Sequence, residues 1–543
     1  MFRTYDQRQS YLLPPRLEDF VDESHPVRVI NDLVEKLELE VLYTHYGAMG
    51  QPAYEPRLML KVILYGFSVG IFSARKLARA CVENLAFQYL TGMARPSFKT
   101  FIEFRQRHRE EMGEVFVQTA KLGRGLGLAR LGQVALDGSK IQANTSKHKA
   151  MSYGRMREEE KRLKEEMESL LKRAEETDEA ENQEVGEEED GYSLKGELAR
   201  RESRLKKIEE AKKALEEREK KEHPDEEGID PKKQISFADK EARCFAKKSE
   251  GTRYVYNGQV AVDMESQVIV ENHIEESVQD GGAVGQALEH MKRGLGEVPK
   301  KLVMDGGYAN SGTLKSCEAH DVIPVCSPSR EDKERETGKP KPVRLDSFSY
   351  DRERDEFRCG HGTLFLRERA EEARDRTVYC GEGSSVCGCG HEWRKDGWIL
   401  RVPDSHLARR ELDWIVKQPE NQVLYRRRKC TVEPVFGQIK FGMGFQRFLY
   451  RGLKNVRSEW NTVCAAFNLK KIAALIRAKP RPGPAGAAWA RIGQMFVGHF
   501  CRHLVQSHDL FQILLARINI QRMLWTRSLV EFFKTLPTNC SSS

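Results

Sequence analysis

The stretch GQVALDGSK, residues 132–140, is a short apolar run that leads into an acid, Asp137, and then into Gly-Ser-Lys. The stretch KLVMDGGY, residues 301–308, repeats the pattern around Asp305. Short apolar runs bounded by glycine are typical of buried strands, so each stretch predicts a strand with a carboxylate at its C-terminal edge. An isolated Asp-Gly after a strand is usually a turn. Two such strands side by side would instead bring both carboxylates to one edge of a sheet.

The residues around these stretches alternate between strand and helix patterns. Residues 254–262 and 267–270 have period-2 apolar patterns and predict a hairpin. Residues 283–293 and 311–320 predict helices, and residues 322–325 predict a further strand. This order of elements predicts a mixed α/β sheet flanked by helices.

Length and composition restrict the class of protein. The chain has 543 residues, of which 39% are hydrophobic and 32% are charged, so we expect several units and one poorly buried charged segment. The N-terminus lacks the apolar core of a secretory signal, and no uncharged apolar run reaches 18 residues. We therefore expect a cytoplasmic protein with no membrane partner. A net charge of +8 allows a nucleic-acid partner without demonstrating one.

The N-terminal region reads as helical, with a basic set that includes Arg105 and Arg107 on its third helix. Short helices with tight turns are compatible with a helix-turn-helix DNA-binding head. A helical bundle with a solvated basic face fits the pattern equally well. We predict a helical DNA-binding or dimerisation domain at 1–125 and a discontinuous mixed α/β domain at 126–150, 235–330 and 413–477. Insertions are expected at 151–234 and 331–412, and a linker and helical tail at 478–543.

The two insertions differ in character. Residues 151–234 are rich in Glu, Lys and Arg and carry two heptad-like seams, which predict an antiparallel coiled-coil hairpin or, alternatively, an unpacked charged insertion. Residues 331–412 contain clustered cysteines whose spacing is irregular. Four thiolates can hold a structural Zn²⁺, whereas free thiols in a loop-rich segment are the alternative. The candidate zinc ligands are Cys359, Cys380, Cys387 and Cys389.

A third acid, Glu433, lies in the stretch YRRRKCTVEPVFGQIK, residues 425–440. Next to Pro434, it could simply begin a helix, where an acid is favoured by the helix dipole. A carboxylate on a helix packed against the sheet could also complete a site with Asp137 and Asp305. Oxygen ligands with open water positions suit two Mg²⁺ or Mn²⁺ ions, which can activate a water and stabilise a leaving oxygen in phosphodiester chemistry.

Taken together, these motifs resemble those of the DDE transposases of bacterial insertion sequences. The resemblance rests on DGSK at 137–140, MDGGY at 304–308, and the set Tyr425, Arg428, Glu433 and Lys440. It is greatest to the insertion-sequence family eleven-eighty-two, within a larger group with a Tyr-Arg-Glu-Lys signature. The stretches YEPRLMLKVILYG at 54–66 and FRQRH at 104–108 are similar to the helical domain that opens these proteins. The similarity covers roughly residues 10–150 and 235–475.

The resemblance implies a ribonuclease-H-like catalytic core in which Asp137, Asp305 and Glu433 are the catalytic and metal-binding acids. Six residues separate Glu433 from Lys440, as in the family, but Arg428 stands one place earlier than the family's arginine. The resemblance also implies contacts to DNA phosphates. The DNA-binding residues expected here are Tyr425, Arg428, Lys440 and Lys140, with Arg105 and Arg107 from the N-terminal helices.

The implied activity is metal-dependent cleavage at the terminal inverted repeats of an insertion sequence, followed by strand transfer into target DNA. The expected partners are double-stranded DNA and a second copy of the chain, because each element has two ends. Two alternatives stay open. One is a metal-dependent nuclease without strand transfer, and the other is a transposase-derived DNA-binding protein that has lost catalysis.

Overall fold

The structure is a computed structural model that describes residues 16–47, 52–146, 149–181, 191–222, 228–247, 251–327, 345, 348–360, 362–371, 375–381 and 398–478. Its α-helices are α1 (Pro26–Glu35), α2 (Glu40–Tyr43), α3 (Pro56–Ser68), α4 (Ala74–Glu83), α5 (Leu85–Thr91), α6 (Phe98–Arg107), α7 (Met112–Gly125), α8 (Tyr153–Glu181), α9 (Gly191–Glu222), α10 (Ala283–Leu295), α11 (Ser311–Ala319), α12 (Asp404–Lys417), α13 (Pro419–Arg427), α14 (Val432–Gly437) and α15 (Leu453–Arg477). Short 3-10 turns span Leu17–Phe20 and Gly306–Tyr308, and a π-helical turn spans Gln438–Gly442.

The strands form three sheets. They are β1 (Gln133–Gln142), β2 (Ala150–Ser152), β3 (Gln234–Ser236), β4 (Arg243–Lys247), β5 (Gly251–Asp263), β6 (Ile269–Glu275), β7 (Lys301–Val303), β8 (Ile323–Val325), β9 (Ser349–Asp351), β10 (Glu356–Arg358), β11 (Leu364–Glu371), β12 (Arg376–Gly381) and β13 (Trp398–Pro403). The predicted tail at 478–543 lies outside the described residues, apart from Ala478.

The central sheet is mixed. Its order is β4-β5-β1-β7-β8, and β6 also pairs with β5. Strands β1, β7 and β8 are parallel, whereas β5 is antiparallel to β1, β4 and β6. The mixed sheet predicted from the sequence is therefore present, with the predicted hairpin as β5 and β6.

The first strand is longer than the sequence indicated. We expected it to end at Asp137, but β1 continues to Gln142 because β5 pairs with it from Val134 to Gln142. In this pairing Asp137 lies opposite Val260. On β1, only residues 133–135 pair with β7. Asp137 therefore lies within a strand and not in a turn, just beyond the point where the parallel pairing stops.

Helix α15 joins the N-terminal helices to the sheet. It packs against α3, α7 and β6, and its side chains Trp460 and Phe467 are almost fully buried. Pro56 is the first residue of α3, where proline's missing N–H costs nothing, and Glu55 accepts a hydrogen bond from the backbone N–H of Leu58. The N-terminal helices therefore share a core with the sheet.

The inserted segments are also folded where the structure describes them. Helices α8 and α9 pack on each other, and Leu163, Ile208 and Leu215 from the predicted seams are buried between them. Residues 348–403 contribute a five-stranded antiparallel sheet in the order β13-β12-β11-β10-β9, which the sequence did not predict. None of the described helices is long and apolar enough to cross a membrane.

We predict that Asn468→Ala lowers the free energy of unfolding by about 2–3 kcal/mol, because buried polar groups that lose their partners are costly. Asn468 is fully buried in α15, accepts from the backbone N–H of Ile269 at 2.9 Å and donates to the Ile269 carbonyl at 2.8 Å. Urea unfolding measures the change. Lys454→Ala, at an exposed position of the same helix, is the control and should change stability by less than about 0.5 kcal/mol.

Candidate active site

Asp137 lies on β1, and Asp305 lies at the same level two residues after the end of the neighbouring parallel strand β7. The last residue pair between β1 and β7 is Ala135 with Val303. Asp137 comes two residues after Ala135, and Asp305 comes two residues after Val303. Side chains two residues apart along a strand point to the same face. The register therefore brings the two carboxylates together, as the sequence predicted.

The electrostatics of Asp137 reflect this position. Burial, together with the smaller effect of the nearby Asp305 and Asp280 charges, raises the pKa of Asp137 to about 6. Arg428 acts in the opposite direction, with its Nη1 3.1 Å from Asp137 Oδ2. The backbone N–H of Gly138 donates to Asp137 Oδ1 at 2.8 Å. Arg428 thus offsets part of the effect that burial and the two neighbouring acids have on Asp137.

Asp305 is held by the turn that follows it. The backbone N–H of Gly307 donates to Asp305 Oδ1 at 2.8 Å, which caps the 3-10 turn. Tyr308 in this turn is fully buried, and its hydroxyl donates to Gln259 Oε1 at 2.5 Å. Burial, and then the negative charges around it, raise the pKa of Tyr308 well above its usual value. The turn is therefore anchored on β5.

Asp280 is a fourth acid of this region that sequence reasoning missed. Its Oδ1 accepts hydrogen bonds from Lys140 Nζ at 2.8 Å, Asn257 Nδ2 at 2.8 Å and Gln259 Nε2 at 2.7 Å. It lies in the loop before α10, where Asp280-Gly281 repeats the Asp-Gly pair of the two strand acids. That repeat was the one available signal, and without a preceding strand it reads as an ordinary turn.

The structure does not bring Glu433 into contact with the two aspartates. Glu433 is exposed in the first turn of α14, although α14 itself packs against β1 and β5. Among the described residues, the acid and histidine groups whose ligand atoms lie within 4.8 Å of one another are elsewhere in the chain. Two of the three predicted acids are therefore assembled, and the third is on the adjacent helix.

Three of the predicted DNA-contacting residues lie beside the acids. Arg428 contacts Asp137, and Lys440 Nζ donates to Ser139 Oγ at 2.5 Å. Both side chains come from the segment that contains Glu433. Lys140 forms an ion pair with Asp280 instead of pointing freely into solvent. Tyr425 is half-buried on α13.

The two arginines predicted in the N-terminal helices differ from each other. Arg107 is exposed, and its guanidinium lies 5.0 Å from the centre of the Tyr46 ring. The side chain of Arg105 is only 9% exposed, lies over the rings of Phe67 and Tyr450, and donates to the Phe72 carbonyl at 3.1 Å. This burial argues against the DNA contact expected for Arg105 and favours a packing role.

The predicted zinc ligands are described only in part. Cys359 is buried in the apolar core of the five-stranded sheet. Cys380 lies on β12, its thiol donates to Glu368 Oε2 at 2.9 Å, and burial raises its pKa to about 11. Cys387 and Cys389 lie outside the described residues. A shared zinc site stays a prediction from the sequence.

Comparison with known families adds to this geometry. Residues 15–107 match a family described as "Transposase domain (DUF772)", and residues 220–469 match one described as "Transposase DDE domain". The second match includes Asp305 and Glu433, whereas Asp137 lies between the two matched regions. Together the matches indicate an insertion-sequence-type DDE transposase with a ribonuclease-H-like mixed α/β core.

A search of curated proteins finds no match. Among solved structures, one similar chain is described as "Cryo-EM structure of piggyBac transposase synaptic complex with hairpin DNA (SNHP)". The two chains are 10% identical, and the alignment covers 91% of this chain and 84% of that one with a TM-score of 0.28. A TM-score of this size does not establish a shared fold, so the fold assignment rests on the family matches and the strand order.

We predict that Gly138→Ala destabilises the protein, because the added methyl group would overpack the region beside Asp137. A Cβ at this position would lie 2.2 Å from Gln259 Nε2 and 2.6 Å from Asp280 Oδ1, two atoms already hydrogen-bonded to each other. Such overpacking costs about 1–3 kcal/mol in the free energy of unfolding. Thermal unfolding measures it, and Gly132→Ala, whose Cβ would meet nothing within 4 Å, is the matched control. Equal stability of the two variants would contradict the described packing.

Proposed function

We propose that this chain binds the terminal inverted repeats of an insertion sequence, cleaves the DNA at the repeat boundary and joins the freed 3′ end to target DNA. The proposal includes the Tyr-Arg-Glu-Lys group and, within it, the insertion-sequence family eleven-eighty-two. The observation that carries it is the placement of Asp137 on β1 and of Asp305 at the same level, just after the neighbouring parallel strand β7. The two family matches support the same activity.

The donors fit divalent cations of the magnesium type. Asp137 and Asp305 supply hard carboxylate oxygens. Burial, and to a smaller degree the charges of Asp305 and Asp280, raises the pKa of Asp137, so a cation bound here would stabilise its ionised form. Glu433 would be the third ligand. When bound, two Mg²⁺ or Mn²⁺ ions would activate the attacking oxygen and stabilise the leaving oxygen of the phosphodiester.

The segment around Glu433 is tethered to β1 at both ends. Arg428, which precedes α14 in the chain, contacts Asp137, and Lys440, which follows α14, contacts Ser139. Asp137 and Ser139 are two residues apart and so share one face of the strand. Glu433 lies between these two tethers in the chain, and the proposal requires α14 to move so that the Glu433 carboxylate joins the two aspartates.

The two tethering cations have a further role in the proposal. Arg428 and Lys440 place positive charge directly beside the acids, where the phosphates on either side of a scissile bond would lie. Such contacts fix the position of the DNA backbone without reading its sequence. Arg428 also neutralises Asp137 while no DNA is bound, which would limit the repulsion among the clustered acids. Two copies of the chain would hold the two ends of one element.

We predict that Asp137→Asn, Asp305→Asn and Glu433→Gln each reduce cleavage of a labelled inverted-repeat duplex by at least about a thousandfold, or roughly 4 kcal/mol in the barrier. Binding to the duplex should change little, because it depends on the basic residues. Gel assays of binding and cleavage measure both effects. Glu420→Gln is the control, since Glu420 is also an exposed glutamate in the first turn of a helix.

The outcomes separate the alternatives. Cleavage that survives Glu433→Gln would remove Glu433 from the site while leaving the two aspartates in place. Metal-dependent cleavage without joined products, or without regard to the repeat, would indicate a nuclease. Binding to the repeat without any cleavage by the unmodified chain would indicate a DNA-binding protein that has lost catalysis.

We also predict that Mg²⁺ stabilises the protein in a pH-dependent way. Because burial favours the neutral form of Asp137, this residue makes the ion-free protein less stable as the pH rises from about 4 through about 6. Mg²⁺ binds the ionised form and offsets that loss. At a fixed concentration a hundred times its Kd at pH 7.5, Mg²⁺ should add about 2.7 kcal/mol to the free energy of unfolding at pH 7.5 and much less at pH 5. Calorimetry measures the shift, which Asp137→Asn should abolish.

A further inference from the structure

A second group of ligand-type side chains lies at the edge of the central sheet, on β6 and α10. Glu271 and His273 are two residues apart on β6, so they share one face of that strand. His290 projects from α10, which packs against β6. Glu271 Oε1 lies 2.9 Å from His273 Nδ1 and 3.1 Å from His290 Nδ1. The three ligand atoms lie within 4.8 Å of one another.

The polar atoms of this group are buried without enough partners. The side chains of Glu271 and His273 are each 3% exposed. Among the described residues, no hydrogen-bond partner reaches Glu271 Oε2 or His273 Nε2. Buried polar atoms nearly always have a partner, so the unpaired Glu271 Oε2 beside two imidazoles points to a missing ligand.

The surroundings resemble the outer shell of a metal site. Glu275, the next residue on the same face of β6, has its Oε2 4.0 Å from His273 Nε2. A histidine that ligates a metal through one ring nitrogen usually donates its other ring N–H to a carboxylate or carbonyl. Glu275 is placed to accept that hydrogen bond after a small shift of its side chain.

The group also has an open side. A cavity of about 530 Å³ lies between β6, α7, α10 and α15, and its lining includes Glu271, His273 and His290. His290 is 30% exposed at this cavity. An ion could therefore enter, and a water could take a further coordination position.

We propose that Glu271, His273 and His290 bind a single first-row transition-metal ion, with Zn²⁺ as the expected occupant. Two imidazoles and one carboxylate with an open position suit zinc, whereas the all-carboxylate set at Asp137 and Asp305 suits magnesium. The ion would join α10 to the edge strand β6. The site is therefore independent of the proposed DNA cleavage, and its failure would leave that proposal untouched.

A second histidine-containing group is a weaker candidate. His45, His108 and Glu111 also bring ligand atoms within 4.8 Å. However, Tyr46 Oη already lies 2.9 Å from His108 Nε2, and His45 is exposed. This group supplies a matched control for the test.

The test is a calorimetric titration of the chelator-treated full chain with Zn²⁺. His290→Ala should remove one bound equivalent, whereas His45→Ala should keep it. Position 290 is half-exposed and alanine favours helices, so the variant should fold. Thermal unfolding without metal checks this. Unchanged zinc stoichiometry in a folded His290→Ala variant would overturn the proposal.

Co²⁺ spectroscopy separates this site from the cysteine region. Cobalt bound by Glu271, His273 and His290 should show visible d–d bands without the near-ultraviolet thiolate charge-transfer band, and His290→Ala should remove them. A spectrum from thiolate ligands alone would overturn the assignment. Glu275→Gln should weaken zinc binding by about tenfold or more if Glu275 orients His273. Unchanged affinity would remove Glu275 from the proposal.

Discussion

The parallel pairing of β1 with β7 determines where the chemistry of this chain can take place. Three residue pairs, from Gln133–Lys301 to Ala135–Val303, set the register, and both aspartates follow at the same distance from the last pair. A slip of one residue would turn one carboxylate to the opposite face of the sheet. The long β5 stabilises this register by pairing with β1 from Val134 to Gln142.

The elements around this pairing place a basic side chain beside two of the clustered acids. Clustered carboxylates repel each other, and the structure compensates with Arg428 at Asp137 and with Lys140 at Asp280. Gln259 connects the two halves of this arrangement, because it donates to Asp280 and accepts from Tyr308 in the turn after Asp305. The acids are therefore ordered before any cation or DNA arrives, and the large insertions leave this centre intact.

The sequence predicted the sheet and the two strand acids because both depend on local patterns, an apolar run followed by Asp-Gly. It did not predict Asp280 or the burial of Arg105, since these depend on which distant residues meet in the fold. Lys140 is 140 positions from Asp280, and Tyr450, which Arg105 contacts, is also far from it in the chain. The heptad spacing correctly marked Leu163 and Ile208 as buried. The short strands β9 to β13 lacked a clear alternating pattern and were missed.

The most direct test of the central claim is anomalous diffraction from crystals of the chain bound to an inverted-repeat duplex and Mn²⁺. The account predicts manganese peaks between the carboxylates of Asp137 and Asp305, with Glu433 drawn in as a ligand of one ion. Manganese bound elsewhere, or a site completed by Asp280 with Glu433 still in solvent, would contradict the assignment of the three acids.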